Sequence, residues 1–140
     1  KEAGTFRSGN VGVYAGTKLI HAGTPAKYVP DLMKQLFDWL KESANHPLVK
    51  SCIFHYEFEF IHPFQDGNGR VGRLILFREC LRNDVMPFVI DNEHKLYYYR
   101  GLSDFKQTPG FLVGTMQSAQ DVYEAWIKYF NEDLLEGLTI

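Results

Sequence analysis

The twelve residues 62–73 (HPFQDGNGRVGR) constrain the fold of this chain more than any other stretch. Pro63 disfavours helical backbone angles at His62, so a helix that arrives from the N-terminal side ends at this corner. Gly67 and Gly69 accept positive φ and carry no side chain, so backbone N–H groups can converge there on an anion. An apolar period typical of a helix follows directly. The stretch therefore predicts a corner, an anion-binding loop and a helix N-terminus.

Two arginines stand at the start of this helix, which the period predicts over residues 69–83. A helix N-terminus favours an anion, and disfavours a cation, by about 0.3–1 kcal/mol. Arg70 and Arg73 share one helix face, where they repel each other and the dipole unless an anion is bound. We therefore expect a ligand that carries phosphate groups. The buried face of this helix is expected to comprise Val71, Leu74, Ile75, Phe77, Cys80 and Leu81.

Length and composition favour one compact domain. The 140 residues are 45% hydrophobic, which suffices for a single core, so we expect one domain over residues 1–140, as a fragment of a longer chain that begins upstream of Lys1. The net charge is −2 and the basic residues are scattered, which argues against a nucleic-acid or membrane surface. Cys52 and Cys80 are expected to be buried thiols. The sequence also has no apolar run of about 20 residues and no signal-peptide pattern. Together with the two thiols, these features indicate a cytoplasmic protein.

A β-hairpin is predicted over Val11–Ala22, since two short apolar runs flank the turn signal at residues 15–17. Its free edge offers hydrogen bonds to an extended peptide. The alternative is a plain connecting hairpin.

The rest of the chain reads as helical, which gives an all-α fold class. Asp31 is expected to cap the first helix, whose stripe runs to Leu40. Further helices are predicted over residues 48–61, 93–105 and 110–130, and residues 131–140 are expected to form a tail or to start another helix. In the helix over 48–61, the buried face is expected to include Leu48, Cys52, Ile53, Tyr56 and Phe60. In the last helix, the inward residues are expected to be Phe111, Val113, Met116, Ala119, Val122, Tyr123, Trp126 and Phe130.

A zinc site is one alternative use of the central histidines. His55, Glu59 and His62 stand at i, i+4 and i+7, a spacing that presents three ligands on one helix face. Pro63 argues against it, because it takes His62 off the helical lattice.

The segment 62–73 resembles the signature of the Fic family, His-x-Phe-x-(Asp/Glu)-Gly-Asn-Gly-Arg-x-x-Arg, with every specified position filled. Other features similar to the family are Phe6-Arg7, Val11-x-Val13, Pro25, the helix around Met33–Trp39 and Tyr98-Tyr99. The resemblance implies a compact all-helical Fic fold with a small hairpin flap near the N-terminus. It also implies an enzyme that transfers AMP from ATP to a serine, threonine or tyrosine hydroxyl of a protein and releases pyrophosphate.

The resemblance assigns a role to each residue of the motif. His62 would be the general base, because a neutral imidazole accepts the proton of an incoming hydroxyl. Asp66 would bind Mg²⁺, which prefers carboxylate oxygens. The remaining motif residues would bind the nucleotide, with the amide and N–H groups on the α-phosphate and the guanidinium groups on the outer phosphates. They are Gly67, Asn68, Gly69, Arg70 and Arg73.

The resemblance also extends the nucleotide site beyond the motif. Tyr98 and Tyr99 would lie by the adenine, where an aromatic face suits a base. Val11, Gly12 and Val13 would also bind the nucleotide, and the hairpin would be the flap that aligns the target peptide beside His62. Core packing is the alternative for the two tyrosines.

Two positions bear on activity and control. Gly69 stands where the kinase-like branch of the family has lysine, which favours nucleotidyl transfer. The family's inhibitory helix, Ser/Thr-x-x-x-Glu-Gly/Asn, is matched by Glu136-Gly137 only at its end, because Glu132 replaces the hydroxyl residue. The glutamate that would engage Arg73 is therefore expected upstream of Lys1 or on a partner, and the alternative is that this restraint is missing. Alternative activities are removal of AMP from a modified protein and nucleotide binding without turnover.

Overall fold

The computed structural model describes residues 3–137, with side chains as far as residue 131 except that of Ala15. Within these residues an antiparallel hairpin and a 3₁₀ turn (Ala26–Tyr28) precede five helices. The strands are β1 (Gly12–Ala15) and β2 (Lys18–Ala22), and the helices are α1 (Val29–Glu42), α2 (Pro47–Ile61), α3 (Asn68–Arg82), α4 (Lys95–Ser103) and α5 (Gly110–Gly137). The expectation of a helical fold with one small hairpin is confirmed.

The chain divides into two compact units, residues 1–76 and 77–140. Helix α3 continues through the division, and the single domain expected from the sequence stays a prediction. Among residues 3–137, no helix is both long enough and apolar enough to cross a membrane.

The hairpin forms where the sequence predicts it. Gly16 has φ +60° in the turn, a conformation that glycine adopts without strain. Val13 pairs with His21, and a bulge interrupts the register between Val13 and Tyr14. Apolar side chains on the hairpin remain exposed, among them Tyr14, Leu19 and Ile20.

The core of the first unit lies between α1 and α2. Its buried side chains are Val29, Met33, Leu36, Leu40, Phe54, Phe58 and Ile61. The prediction that Asp31 caps α1 is wrong: the cap position is Tyr28, and Asp31 lies in the first turn. The helix begins early because Pro30 fits the first turn, where its missing N–H has no intrahelical partner to lose.

Periodicity identified the buried faces of α2 and α3 only in part: Leu48, Cys52 and Cys80 are buried as expected. Phe60, expected inside, is 39% exposed, and Leu74 and Leu81 are 70% and 57% exposed. Ser51 and His55 take buried positions instead. Apolar residues occur almost all round α2, and such a helix has no single stripe from which the buried side can be read.

The second unit is built on α4 and α5. A Cβ on Gly101 would lie 2.8 Å from the Cα of Leu112, so the glycine permits the close approach of the two helices. Of the side chains expected to face inward, Met116 and Ala119 are buried, whereas Phe111, Trp126 and Phe130 are exposed.

Helix α5 extends further than expected. It runs to Gly137, so residues 131–137 continue it rather than form a tail or start another helix. Residues 138–140 lie outside those described.

Candidate active site

His62 forms the corner between α2 and the motif loop. Its N–H donates to the Phe58 carbonyl at 2.9 Å, and its backbone has φ 54° and ψ 63°. The corner predicted from Pro63 is therefore present, but it is left-handed rather than extended. Few residues other than glycine adopt this conformation, and it turns the chain sharply out of the helix.

The environment of the His62 ring favours its neutral form. The ring is half-buried, and its Nδ1 atom has no hydrogen-bond partner among the described residues. Burial lowers the pKa of His62, and the charges of His21 and Arg7 act in the same direction. A histidine of lowered pKa is uncharged at neutral pH and can accept a proton.

A two-way clamp closes the loop that follows. The Phe64 N–H donates to Asn68 Oδ1 at 2.8 Å, and Asn68 Nδ2 donates to the Phe64 carbonyl at 2.8 Å. Asn68 is 2% exposed and is the first residue of α3. Between Phe64 and Asn68, Gly67 has φ +83°. The clamp leaves the second hydrogen of Nδ2 for another acceptor.

The two motif arginines sit over glycines. A Cβ on Gly67 would lie 3.3 Å from Arg70 Nη2, and one on Gly69 would lie 3.1 Å from Arg73 Nη1. Arg70 Nη2 is 3.6 Å from Asp66 Oδ2, with both side chains largely exposed. An exposed pair of this kind is weak, so both groups can turn to a ligand.

Beneath α3 lie two titratable groups, one buried and one half-buried, that sequence reasoning left without a role in the anion site. A Cβ on Gly72 would stand 2.8 Å from the His55 ring and 2.9 Å from Glu59 Oε1. Burial raises the pKa of Glu59 to about 7, although the Arg73 charge opposes the rise. Burial, with Arg73, lowers the pKa of His55 to about 3.

The zinc alternative gains no support from this geometry. The left-handed backbone of His62 removes it from the helix that carries His55 and Glu59. Across residues 3–137 the structure contains no group of three or more His, Cys, Asp or Glu side chains placed to hold a metal.

A cleft of about 600 Å³ opens beside the motif loop. Its walls are residues 3–8 on one side and Phe64, Gln65, Asp66 and Val71 on the other. The volume is within the range of small-molecule sites. The cleft therefore brings Asp66 to the edge of a space suited to a ligand.

The other residues expected in the nucleotide site are two tyrosines and the segment around β1. Tyr98 and Tyr99 belong to the second unit, where Tyr98 is 2% exposed and their ring centroids are 5.2 Å apart. Val11, Gly12 and Val13 lie in and just before β1 and are half-buried.

The hairpin is fastened to the end of α2. His21 Nε2 is 2.8 Å from the Phe60 carbonyl, and the two rings are 4.7 Å apart. This contact places the hairpin next to the His62 corner. Sequence reasoning did not find it, because one histidine in a strand does not identify its acceptor.

Residues 1–79, which include the hairpin, α1, α2 and the whole motif, match the Fic/DOC family. The chain belongs to the Fic/DOC family. The Fic motif thus comprises the His62 corner, the loop and the helix N-terminus described above.

Individual relatives agree with this assignment. A probable protein adenylyltransferase of Aquifex aeolicus is 42% identical over 72 residues, which are 51% of this chain and 22% of the relative. A protein adenylyltransferase of Caenorhabditis elegans is 33% identical over 104 residues, 72% of this chain and 20% of the relative. The crystal structure of a Fic family protein from Desulfovibrio desulfuricans matches with a TM-score of 0.75 and 42% identity, covering 92% of this chain and 42% of that one. This Fic chain thus spans about a fifth of the length of the two curated relatives.

Proposed function

We propose that this Fic chain transfers AMP from ATP to a hydroxyl group of a target protein and releases pyrophosphate. The observation that carries the proposal is a half-buried histidine of lowered pKa at the corner before the start of α3, a helix N-terminus that carries Arg70 and Arg73. The adenylyltransferase names of the relatives support the same reaction.

In this reaction His62 acts on the nucleophile. Its imidazole takes the proton of the target hydroxyl while the hydroxyl oxygen bonds to the α-phosphorus. The bond from that phosphorus to the bridging oxygen breaks, and pyrophosphate leaves with the bonding electrons. A base of pKa below 6.5 is already deprotonated at neutral pH, so no proton has to be removed from it first.

The loop and the start of α3 would stabilise charge on the phosphates. The first N–H groups of a helix have no intrahelical partner, and those after Gly67 point toward an anion at the N-terminus. The free hydrogen of Asn68 Nδ2 adds a donor. Arg70 and Arg73 would neutralise the outer phosphates, which removes the repulsion between two cations at a helix N-terminus.

Asp66 suits a magnesium ion shared with the substrate. Its carboxylate is exposed at the edge of the cleft, and Mg²⁺ commonly binds one or two protein carboxylates together with substrate phosphates. When bound, the ion would neutralise phosphate charge. Because Arg70 pairs with Asp66 in this structure, binding would exchange the guanidinium for the metal at that carboxylate.

The target protein would dock on the hairpin. Its exposed apolar side chains and its strand edge next to the His62 corner suit an extended peptide. A glutamate from another segment or a partner would restrain Arg73. Tyr98 and Tyr99 remain candidates for the adenine contact, and the two buried free thiols are in keeping with a cytoplasmic location.

Labelled ATP tests the proposal directly. The protein is incubated with Mg²⁺ and ATP labelled at the α or the γ phosphate, together with lysate proteins as acceptors. We expect label from the α position on protein, and a loss of about 100-fold or more in His62→Ala. His46→Asn is the matched control, since the His46 side chain accepts a hydrogen bond from the Leu48 N–H at the start of α2 and asparagine also caps helices.

Other outcomes assign other activities. Transfer of the γ label would identify a kinase. Release of AMP from a modified acceptor without forward transfer would identify the reverse reaction. ATP binding with neither activity would identify a binding module, and each of these results contradicts the proposal.

A further inference from the structure

Arg7 is a buried cation whose side chain donates to four main-chain carbonyls. It is 5% exposed. Nε donates to the His62 carbonyl at 2.6 Å, and Nη1 donates to the Gly9 carbonyl at 2.8 Å. Nη2 donates to the Ile61 carbonyl at 3.1 Å and also to the Thr24 carbonyl. These acceptors come from three separate segments of the chain, so one side chain ties the three together.

Two of these acceptors are at the end of α2. The last carbonyls of a helix have no intrahelical partner, and the negative end of the helix dipole attracts a cation. The Arg7 guanidinium therefore completes the end of the helix at Ile61 and His62. The Arg7 backbone N–H also donates to the Pro63 carbonyl at 3.0 Å, which fixes the corner from its other side.

The third attachment reaches the hairpin. Thr24 follows β2 by two residues, and a Cβ on Gly23 would lie 3.1 Å from Arg7 Nη2. The Gly23 N–H donates to the Val11 carbonyl at 3.0 Å, which closes the base of the hairpin. The guanidinium thus connects the base of the hairpin to the corner that carries His62.

We propose that Arg7 is a positioning residue for AMP transfer, which holds the His62 corner and the hairpin in one fixed relation. The proposal rests on the function proposed above. A peptide on the hairpin then presents its hydroxyl at a constant distance from the imidazole. Lysine would keep the charge, but it lacks the planar fork that reaches several carbonyls at once.

Two substitutions separate charge from geometry. Arg7→Lys keeps the positive charge, Arg7→Ala removes it, and Lys27→Ala is the control for loss of an exposed cation nearby. We expect kcat to fall about 10- to 100-fold in both Arg7 variants, because small displacements of reacting groups have effects of this size. The KM for ATP should change less than about threefold, because the Arg7 guanidinium, although in the cleft wall, donates to main-chain carbonyls and not to the residues proposed to bind phosphate.

NMR of the same variants requires no turnover. Burial is the main cause of the lowered His62 pKa and the Arg7 charge adds to it, so this pKa should rise in Arg7→Ala and rise less in Arg7→Lys. The amides of His62 and Gly23 should exchange faster with solvent in both variants, while amides in the middle of α1 keep their protection. Lys27→Ala should match the wild type in every measurement. Should Arg7→Ala fail to fold, Arg7→Lys alone provides the test.

Failure of this proposal is distinct from failure of the proposed function. A wild type that transfers no AMP refutes the function, and the exchange data still decide whether Arg7 fixes the corner. Unchanged kcat in folded Arg7 variants refutes the positioning role. A uniform loss of protection across the first unit, with kcat of the folded fraction unchanged, would make Arg7 a stability residue only and would also refute it.

Discussion

Replacing Glu59 by glutamine should change how the stability of this protein depends on pH. Burial raises the Glu59 pKa from its ordinary 4.5 to about 7, against the attraction of Arg73. Its Oε1 atom is buried without a hydrogen-bond partner in the described part of the chain. Between these two pH values the carboxyl is protonated in the folded protein and ionised in the unfolded one. Folding therefore takes up a proton there.

The size of the effect follows from the two pKa values. The difference between about 7 and 4.5, at about 1.4 kcal/mol for each pKa unit, amounts to about 3 kcal/mol. Because the folded pKa is raised, this contribution is fully present below pH 4.5, is lost as pH rises toward 7, and stays lost above it. Glutamine does not ionise, so Glu59→Gln lacks this pH dependence.

Chemical denaturation at half-unit steps from pH 4 to pH 8.5 measures the effect. The unfolding free energy of Glu59→Gln minus that of the wild type should increase by about 3 kcal/mol between pH 4.5 and pH 7.5. Taking the difference cancels the titrations that both proteins share. Glu57→Gln, in the same helix, controls for the exchange of a carboxyl for an amide. Parallel curves for Glu59→Gln and wild type would refute the assignment of a buried, protonated Glu59.

Two further substitutions and one pH profile have defined outcomes. Gly72→Ala should lower the free energy of unfolding by about 1–2 kcal/mol, because the new methyl group meets the buried His55 ring. This overpacking outweighs the higher helix propensity of alanine. A variant more stable than the wild type in chemical denaturation would contradict this. Asn68→Ala should lower the free energy of unfolding by about 1–3 kcal/mol and weaken ATP binding, since it leaves the N–H and the carbonyl of Phe64 unpaired. Calorimetry measures both the stability and the ATP affinity. If neither changes, the Asn68 clamp does not support the loop. The kcat/KM profile for AMP transfer should reach half its plateau below pH 6.5, because burial lowers the His62 pKa; a midpoint above 6.5 would contradict a neutral base.

The elements and the motif loop were predictable because their signals are local. Pro63 ends α2 at the expected residue, and Gly16 turns the hairpin where the apolar runs break. These signals depend on the steric properties of single residues and their neighbours. The start of α1 was less predictable, since Pro30 and Asp31 both suit a first turn. Only the structure shows that Tyr28 is the residue at the cap position of α1.

The supports of the candidate site were not predictable, because their contacts join distant parts of the sequence. Arg7 reaches the His62 carbonyl across 55 positions, and a carbonyl acceptor leaves no trace in residue type. The spacing of Glu59 from His55 and His62 identifies it only as an alternative zinc ligand. Its burial depends on how α2 packs against α3, which the sequence does not show. Gly72 stood in the motif as an unspecified position, yet it is the residue that lets the two helices approach.

The left-handed backbone of His62 places thermal stability and reactivity in opposition at a single position. Glycine is the residue that most often ends a helix in this conformation, and a residue with a Cβ pays about 1–2 kcal/mol there. A library randomised at position 62 and selected for heat resistance alone should therefore enrich glycine and asparagine over histidine. The proteins recovered would be more stable but would lack the proposed base, so stabilisation of this chain by selection must keep His62 and change other positions.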